Sequence, residues 1–423
     1  MKFIFADALD MIDPAYDFAA DRSPAERTRY WSDQYPHEYL DTAPYDGVLV
    51  SRGIVGDHKI PGKYSESQAM RFRRVGAREF LRLTGPKFKG LSIFGDCGAF
   101  SYVDQAVPPY TPDDMVEFYG DGGFTHGCSV DHIIFDFDPK ANGTKGARPE
   151  AKERFDITLQ NARGFLKSAK ALGRHFTPLG VVQGWSPDSM ASAARKLQAM
   201  GYTYLAIGGM VPLGSPAIHL CLDAIRRAVK PSVRLHILGF AKAEQVQEFV
   251  KYGIASFDST SPLIRAFKDA RANYYVRTGN RSLKYYTAVR IPQATENSRL
   301  VRKAKEGKVS QEVLATLESK ALKAIREYDR GTVSLDRASK AIREYSREFL
   351  HDPAVSDEKN EAILQENERR VRETLEARPW KTCKCAVCRK AGVEVIIFRS
   401  SNRNKRRGFH NLAMYYSHLR DVH

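Results

Sequence analysis

Between residues 46 and 260 short apolar runs recur, each parted from the next by a helix-length amphipathic stretch. They are Gly47-Val-Leu-Val50, Leu91-Ser-Ile-Phe94, His132-Ile-Ile-Phe135, Leu179-Gly-Val-Val182, Tyr204-Leu-Ala-Ile207, Leu235-His-Ile-Leu238 and Ile254-Ala-Ser-Phe257. Runs this short and this apolar suit strands buried on both faces. Strands separated by helices imply a parallel sheet, because parallel neighbours need a long crossover. The helices carry their own punctuation: Pro187 to Met200 begins Ser-Pro and stops at Gly201, and Ala243 to Tyr252 stops at Gly253. With Phe3-Ile-Phe5, or the run from Tyr285 to Val289, as an eighth strand, the pattern reaches an α/β (β/α)8 TIM barrel. A doubly wound open sheet is the alternative.

The residues that end these runs narrow the choice. Asp96 follows Leu-Ser-Ile-Phe-Gly, Asp136 follows His-Ile-Ile-Phe, Gln183 follows Gly-Val-Val, Gly208-Gly209 follows Leu-Ala-Ile, and Asp258 follows Ala-Ser-Phe. A lone Asp after a strand is ordinarily a helix N-cap. Five polar or glycine positions in one register are poorly explained as caps alone. In a barrel, the carboxyl ends of the strands converge on the face where active sites are built.

After Pro262 the texture changes to charged, Ala-, Leu- and Glu-rich sequence, with helical periodicity from Val309 to Arg330 and from Ser334 to Leu350. The dip at His351-Asp-Pro-Ala-Val-Ser-Asp reads as a linker, followed by a further charged helix from Glu358 to Ala377. The chain carries 66 Lys and Arg against 50 Asp and Glu, a net +16. Residues 264–350 alone hold 20 basic and 10 acidic side chains, and a surplus on that scale suits a polyanion. A solvated helical face is the plainer explanation of the same charges. Tyr274-Tyr275 and Tyr285-Tyr286 lie among them, either to stack on unpaired bases or as ordinary core. The longest apolar runs are far too short to cross a bilayer, and the first ten residues lack the basic and apolar regions of a signal peptide. A cytoplasmic protein with no membrane partner is expected.

Three of the 6 cysteines, Cys97, Cys128 and Cys221, are scattered, whereas Cys383, Cys385 and Cys388 form a C-x-C-x2-C cluster. A redox pair needs only C-x-x-C and leaves one thiol surplus. Three thiolates and one imidazole complete a tetrahedral Zn2+ site. His410, His418 and His423 are the candidates for the fourth ligand. His410 is favoured, because the possible strand Val393 to Phe398 and the basic loop Arg399 to Arg407 leave room for a compact crossover back to the metal. Four protein ligands leave no open position for chemistry, so such a zinc is structural.

These residues together resemble the tRNA-guanine transglycosylase superfamily, zinc-containing (β/α)8 enzymes that exchange a guanine in nucleic acid for a 7-deazaguanine. Phe94-Gly-Asp-Cys-Gly-Ala-Phe100 is similar to the family's Asp-Ser-Gly-Gly-Phe-Gln motif, Phe135-Asp-Phe137 to its Phe-Asp-Glu, and Val182-Gln-Gly184 to its Val-Gln-Gly. Ile207-Gly-Gly209 resembles its Val-Gly-Gly-Leu, and Phe257-Asp258 falls where the family has the Phe-Asp-Cys of its nucleophile. The cysteine cluster and His410-Asn-Leu look like its zinc site. The matches come in family order, over roughly Leu91 to Asp258 and the last forty residues. There are departures. The loop after the nucleophile is Ser259-Thr-Ser-Pro-Leu in place of a basic Pro-Thr-Arg, and 125 positions separate Asp258 from Cys383. The first eighteen residues resemble the DpdA branch, which acts on DNA.

The resemblance implies a bacterial or phage-encoded DNA-guanine transglycosylase that inserts a 7-deazaguanine such as preQ0. Its partners would be DNA and the free 7-deazaguanine base, with an accessory ATPase as a possible companion. The same chemistry on tRNA is the alternative, and an inactive zinc-stabilised nucleic-acid-binding protein a further one. Cutting and remaking an N-glycosidic bond at one sugar carbon calls for two displacements through a covalent intermediate. Asp258 is assigned as nucleophile and Asp96 as the acid and base. Asp136 would accept from the base's 2-amino group and ring N–H, in competition with Asp131 and Asp138. Gln183 would contact the pyrimidine carbonyl or the five-membered ring, and the Gly208-Gly209 turn would donate an amide to O6. The expected organisation is a barrel over 1–262, a basic helical arm over 263–378 for nucleic acid, and a zinc subdomain over 379–423 packed on the barrel.

Overall fold

Eight strands, β1 (Lys2–Ala6), β2 (Gly47–Ser51), β3 (Ser92–Asp96), β4 (His126–Cys128), β5 (Thr177–Val182), β6 (Tyr204–Ile207), β7 (Arg234–Ile237) and β8 (Ile254–Asp258), pair in chain order as a closed barrel. All the pairings are parallel, and Ile4 of β1 lies opposite both Gly47 and Asp258, which closes the ring. The computed structural model describes every residue except Thr144, Ala241, Lys242, residues 279–281 and His423, together with the side chains of Ala243, Glu244, Val246 and Val422. Phe3-Ile-Phe5 therefore supplies the missing strand. The barrel interior is filled by Ile4, Leu49, Phe94, Cys128, Leu179, Val181, Tyr204 and Ala206, all buried, as expected of a packed barrel core.

One expected strand is displaced. The run His132-Ile-Ile-Phe135 is not a strand; β4 is His126-Gly-Cys128, paired in register with Phe94 and Gly95 on one side and with Thr177, Pro178 and Leu179 on the other. Ile133 and Ile134 are buried nonetheless, in the connection that follows β4, while Phe135 is exposed. The run's apolarity serves a buried loop, and the strand itself is too short and too poor in β-branched residues to announce itself. Around the ring, the helix Pro187–Met200 starts as expected, with Ser186 Oγ accepting from the Ser189 amide. Ala243–Tyr252 winds as a 3-10 helix in place of an α-helix.

The chain divides into two compact units, Met1–Leu9 with Tyr45–Ser261, and Asp10–Pro44 with Pro262–Val422. The first holds the barrel. The second holds the helices Gln311–Arg330, Leu335–Leu350, Asp357–Ala377 and Ser401–Val422 and the antiparallel pair β9 (Tyr274–Thr278) and β10 (Ser282–Tyr286). The basic stretch from Arg399 to Arg407, expected as a loop, opens the last of those helices. Its arginines face inward. Arg403 Nε meets Asp21 Oδ1 at 3.1 Å, Arg399 Nε meets Asp21 Oδ2 at 2.5 Å, and Arg406 donates to the Asp13 carbonyl at 2.6 Å. Buried guanidinium groups need such partners, and these bind Asp10–Pro44 to the helical unit. Among the described residues no helix is long and apolar enough to cross a membrane.

Candidate active site and metal centre

Asp96 ends β3 and Asp258 ends β8, so both carboxylates stand on the barrel's carboxyl-end face. Asp258 is buried, and its Oδ1 accepts from the Gly239 amide at 3.0 Å and from His236 Nε2 at 3.2 Å. Asp96 Oδ1 is buried without a hydrogen-bond partner among the described residues. Desolvation, reinforced by the negative charges of Asp258 and Asp131, pushes the Asp96 carboxyl up to about 7, against a smaller downward pull from the Ser51 hydroxyl and the Gly98 amide. A carboxyl beside two others that titrates near neutrality can carry a proton in and out of the site.

The structure brings Asp131, not Asp136, to this face. Asp131 lies three residues beyond the end of β4, is buried, and takes a 2.7 Å hydrogen bond on Oδ2 from Gln183 Nε2 and a 3.2 Å contact on Oδ1 from the Cys97 thiol. Burial raises its pKa, and the Gln183 and Cys97 hydrogen bonds oppose that rise. The Tyr102 hydroxyl steadies the group, lying 2.9 Å from Cys97 Sγ and 3.0 Å from the Asp131 carbonyl, between which its one hydrogen is shared. Asp136 instead lies at the surface, with Arg148 at 3.5 Å and its side chain 41% exposed. The apolar run His132–Phe135 points to a carboxylate five places beyond the one that follows the strand His126–Cys128. The spacing from His126-Gly-Cys128 was the signal that could have found Asp131. Cys97 and Tyr102 were not singled out by the sequence pattern.

Gln183 is buried at the end of β5, its side-chain oxygen 3.4 Å from the Ile134 amide that donates to it. Gly208 and Gly209 lie against it. A Cβ on Gly208 would sit 2.3 Å from Gln183 Nε2, so the glycine is required by close approach, and Gly209 has φ +72, where a side chain is strained. The Gly208 amide is committed to the Val182 carbonyl at 3.0 Å.

In the helical unit, Cys383, Cys385, Cys388 and His410 present ligand atoms that all lie within 4.8 Å of one another, an arrangement able to hold a metal ion. The His410 Nδ1 to Sγ distances are 3.6, 3.3 and 3.3 Å. A tetrahedral zinc with ordinary Zn–S and Zn–N bonds places sulfur and nitrogen about 3.5 Å apart, so the donor set fits. His410 Nε2 donates to the Tyr275 carbonyl at 2.7 Å, which leaves Nδ1 as the metal-facing nitrogen. The Tyr274 ring stacks on the imidazole at 4.1 Å and its hydroxyl lies 3.1 Å from Cys388 Sγ. Tyr274 and Tyr275 are thus buried supports of this cluster and not stacking platforms for bases.

A closed (β/α)8 barrel with a buried carboxyl of raised pKa and a donor-held carboxylate on its carboxyl-end face is the arrangement of a barrel enzyme that works with paired carboxylates, and the same chain carries a Cys3His cluster. Residues 131–296 match the family model described as queuine tRNA-ribosyltransferase. A DNA-guanine transglycosylase of Salmonella montevideo is 41% identical over 422 residues, 99% of this chain and 96% of that protein. A queuine tRNA-ribosyltransferase of Psychrobacter sp. (strain PRwf-1) is 26% identical over 154 residues, 35% of this chain and 38% of that protein. The chain belongs to the tRNA-guanine transglycosylase superfamily, in the branch of the DNA-guanine transglycosylases.

Proposed function

We propose that the protein exchanges guanine in DNA for a free 7-deazaguanine such as preQ0, by double displacement. The observation that carries the reading is the burial of Asp96 on the same face as Asp258 and Asp131, which, with a smaller push from those two charges, holds a proton-carrying carboxyl near neutrality beside the nucleophile. Asp258 attacks C1′ of the nucleotide, the C1′–N9 bond breaks, and its electron pair leaves with guanine, which takes a proton from Asp96. Once Asp258 is an ester it no longer repels charge on Asp96, so Asp96 becomes more acidic as it must release that proton. The incoming base then gives its N9 proton to the Asp96 carboxylate, and N9 displaces Asp258. As the Asp258 charge returns, Asp96 again holds its proton more tightly.

In this reading Asp131, steadied by Gln183 and Cys97, accepts from the 2-amino group and ring N–H of the base, and the Gly209 amide donates to O6. Zinc, held by Cys383, Cys385, Cys388 and His410, supplies structure and no chemistry at the barrel, and its thiolate ligands suit a reducing cytoplasm. A duplex target must be flipped out of its stack to reach the face. The DNA contacts are assigned to the segment 263–378, where Lys305, Arg330, Arg337 and Lys340 are exposed and make no ion pair among the described residues.

The test is incorporation of labelled preQ0 into duplex DNA and, in parallel, into unmodified tRNA, with Asp258→Ala as control. Incorporation into DNA that the control abolishes supports the reading; incorporation into tRNA alone overturns it in favour of the tRNA enzyme. Exchange that appears only on adding host extract, and is lost when its ATP is removed, assigns an accessory ATPase. Binding of DNA without exchange under either condition leaves the inactive binding protein.

A further inference from the structure

Below the proposed nucleophile a chain of hydrogen bonds runs through the barrel interior. Tyr204 Oη on β6 is 2.6 Å from Ser256 Oγ on β8, Ser256 Oγ is 2.5 Å from His236 Nδ1 on β7, and His236 Nε2 is 3.2 Å from Asp258 Oδ1. All four side chains are buried, His236 at 0% exposure. The chain exists because of an irregularity between β7 and β8: Leu235 faces Ile254 but His236 faces Ser256, so Ala255 is passed over. That bulge puts Ser256 beside the imidazole and Asp258 one inward step further along. The Phe94 ring stacks on His236 at 5.2 Å and on His126 at 4.2 Å between centroids.

The proton directions follow from chemistry. Burial raises the Tyr204 pKa, so the phenol keeps its proton and its hydroxyl is able to donate to Ser256 Oγ. A carboxylate oxygen can only accept, so Nε2 carries the hydrogen offered to Asp258 Oδ1, and Nδ1 is left to pair with Ser256 Oγ. The Gly239 amide offers a second hydrogen to the same oxygen at 3.0 Å.

We propose that His236 is a positioning residue for the Asp258 nucleophile, which turns Oδ2 toward the sugar by engaging Oδ1 and stabilises the carboxylate as it departs in the second displacement. The inference rests on the transglycosylase reading. In the first step Oδ2 forms the bond to C1′ and Oδ1 becomes the ester carbonyl, still facing Nε2–H. In the second step the C1′–Oδ2 bond breaks and its electron pair returns to the carboxylate, where a hydrogen bond to the charged form is stronger than one to the ester. Removing that donor should therefore slow the breakdown of the intermediate.

The experiment mixes full-length protein with labelled duplex DNA, counts the covalent adduct after denaturation, and follows its decay in a chase with excess unlabelled guanine. His236→Phe should retain the adduct and slow its decay about 10- to 100-fold, the range spanned by a hydrogen bond to a charged group. His236→Gln, which keeps an N–H near the Nε2 position, should decay within about tenfold of the native rate. Ser256→Ala, which leaves the imidazole in place but undirected, should change decay in the same direction by less, about threefold to tenfold. A merely structural role lowers the amount of adduct with the folded fraction but leaves the decay constant unmoved in all three variants, and that result overturns the inference. An adduct absent from the native protein both alone and with host extract and ATP overturns the transglycosylase reading itself.

Discussion

Gln183 Nε2 donates to Asp131 Oδ2 across 2.7 Å, so the amide that ends β5 holds the carboxylate that follows β4. With Cys97 on its other oxygen, Asp131 has one contact from each neighbouring strand end. Two donors oppose the rise in pKa that burial imposes on this carboxylate and keep it aimed. A base edge that offers N–H groups would add to these contacts, not replace them.

Asp131→Asn and Asp136→Asn should therefore separate cleanly. The first converts an acceptor into a mixed donor and acceptor beside Gln183, and should lower kcat/KM for preQ0 by about 100-fold, close to the loss of a hydrogen bond to a charged group. The second touches a surface pair with Arg148 and should leave kcat/KM within about twofold. Steady-state incorporation with varied preQ0 reads both.

Asp96 gives a pH dependence with a definite sign. Its carboxyl must be protonated to give a proton to departing guanine, and its pKa is pushed up to about 7. Adduct formation should fall as pH rises through about 7 and vanish in Asp96→Asn. Stability moves the same way. A carboxyl whose folded pKa lies above its unfolded value stabilises the fold at acid pH, and that contribution is lost as pH rises through the folded pKa. Asp96→Asn should therefore be more stable than the native protein at pH 8, by about 1–2 kcal/mol, in a denaturant titration.

The barrel was readable from sequence because strands buried on both faces must be apolar on both, and five of the site positions sit at fixed places after them. The exception shows what that rule requires. His126-Gly-Cys128 is a strand by virtue of its neighbours β3 and β5, and its three residues carry no periodicity of their own. The louder run His132-Ile-Ile-Phe135 took its place, and Asp136 was favoured over Asp131 as a consequence. The cysteine cluster was legible because ligand spacing is local, whereas the role of Tyr274 and Tyr275 beside it depends on a contact across more than a hundred residues. The membership of Asp10–Pro44 in the helical unit was invisible for the same reason, since it rests on Arg399, Arg403 and Arg406 reaching Asp21 and Asp13.

The metal centre should be separable from the chemistry. Elemental analysis of protein purified without chelator should find about one zinc per chain. Cys388→Ser should lose the metal and about 3 kcal/mol of stability, lowering Tm by about 6–12 °C, since the ligand atoms without the ion leave polar groups buried in the fold. Asp258→Ala should keep its zinc and its Tm within a few degrees while losing all exchange. A variant without zinc that exchanged preQ0 at the native rate below its Tm would still fit; exchange that scaled with zinc occupancy in fully folded protein would not.

Electrostatic binding by the helical unit makes a quantitative claim on salt. Much of the basic surplus in 263–378 is already spent inside the protein: Lys320 pairs with Glu344, Arg343 with Glu361 and Glu368, and Arg372 with Asp336 and Glu376. Such pairs contribute little net attraction to a phosphate backbone, so formal charge overstates the footprint. Lys305, Arg330, Arg337 and Lys340 are exposed without a carboxylate partner among the described residues. Each one that contacts a phosphate adds about 0.9 to the slope of log K against log salt concentration on duplex DNA. Replacing all four with Ala should flatten that slope by up to about 3.6 and weaken duplex binding most at low salt, while exchange at saturating DNA stays near native. Replacing Lys320 and Arg343 should change the slope by less than about 1, despite removing the same kind of charge. Equal effects from the two sets would mean that ion-paired residues release their partners on binding, and the footprint would have to be redrawn over the whole helical surface.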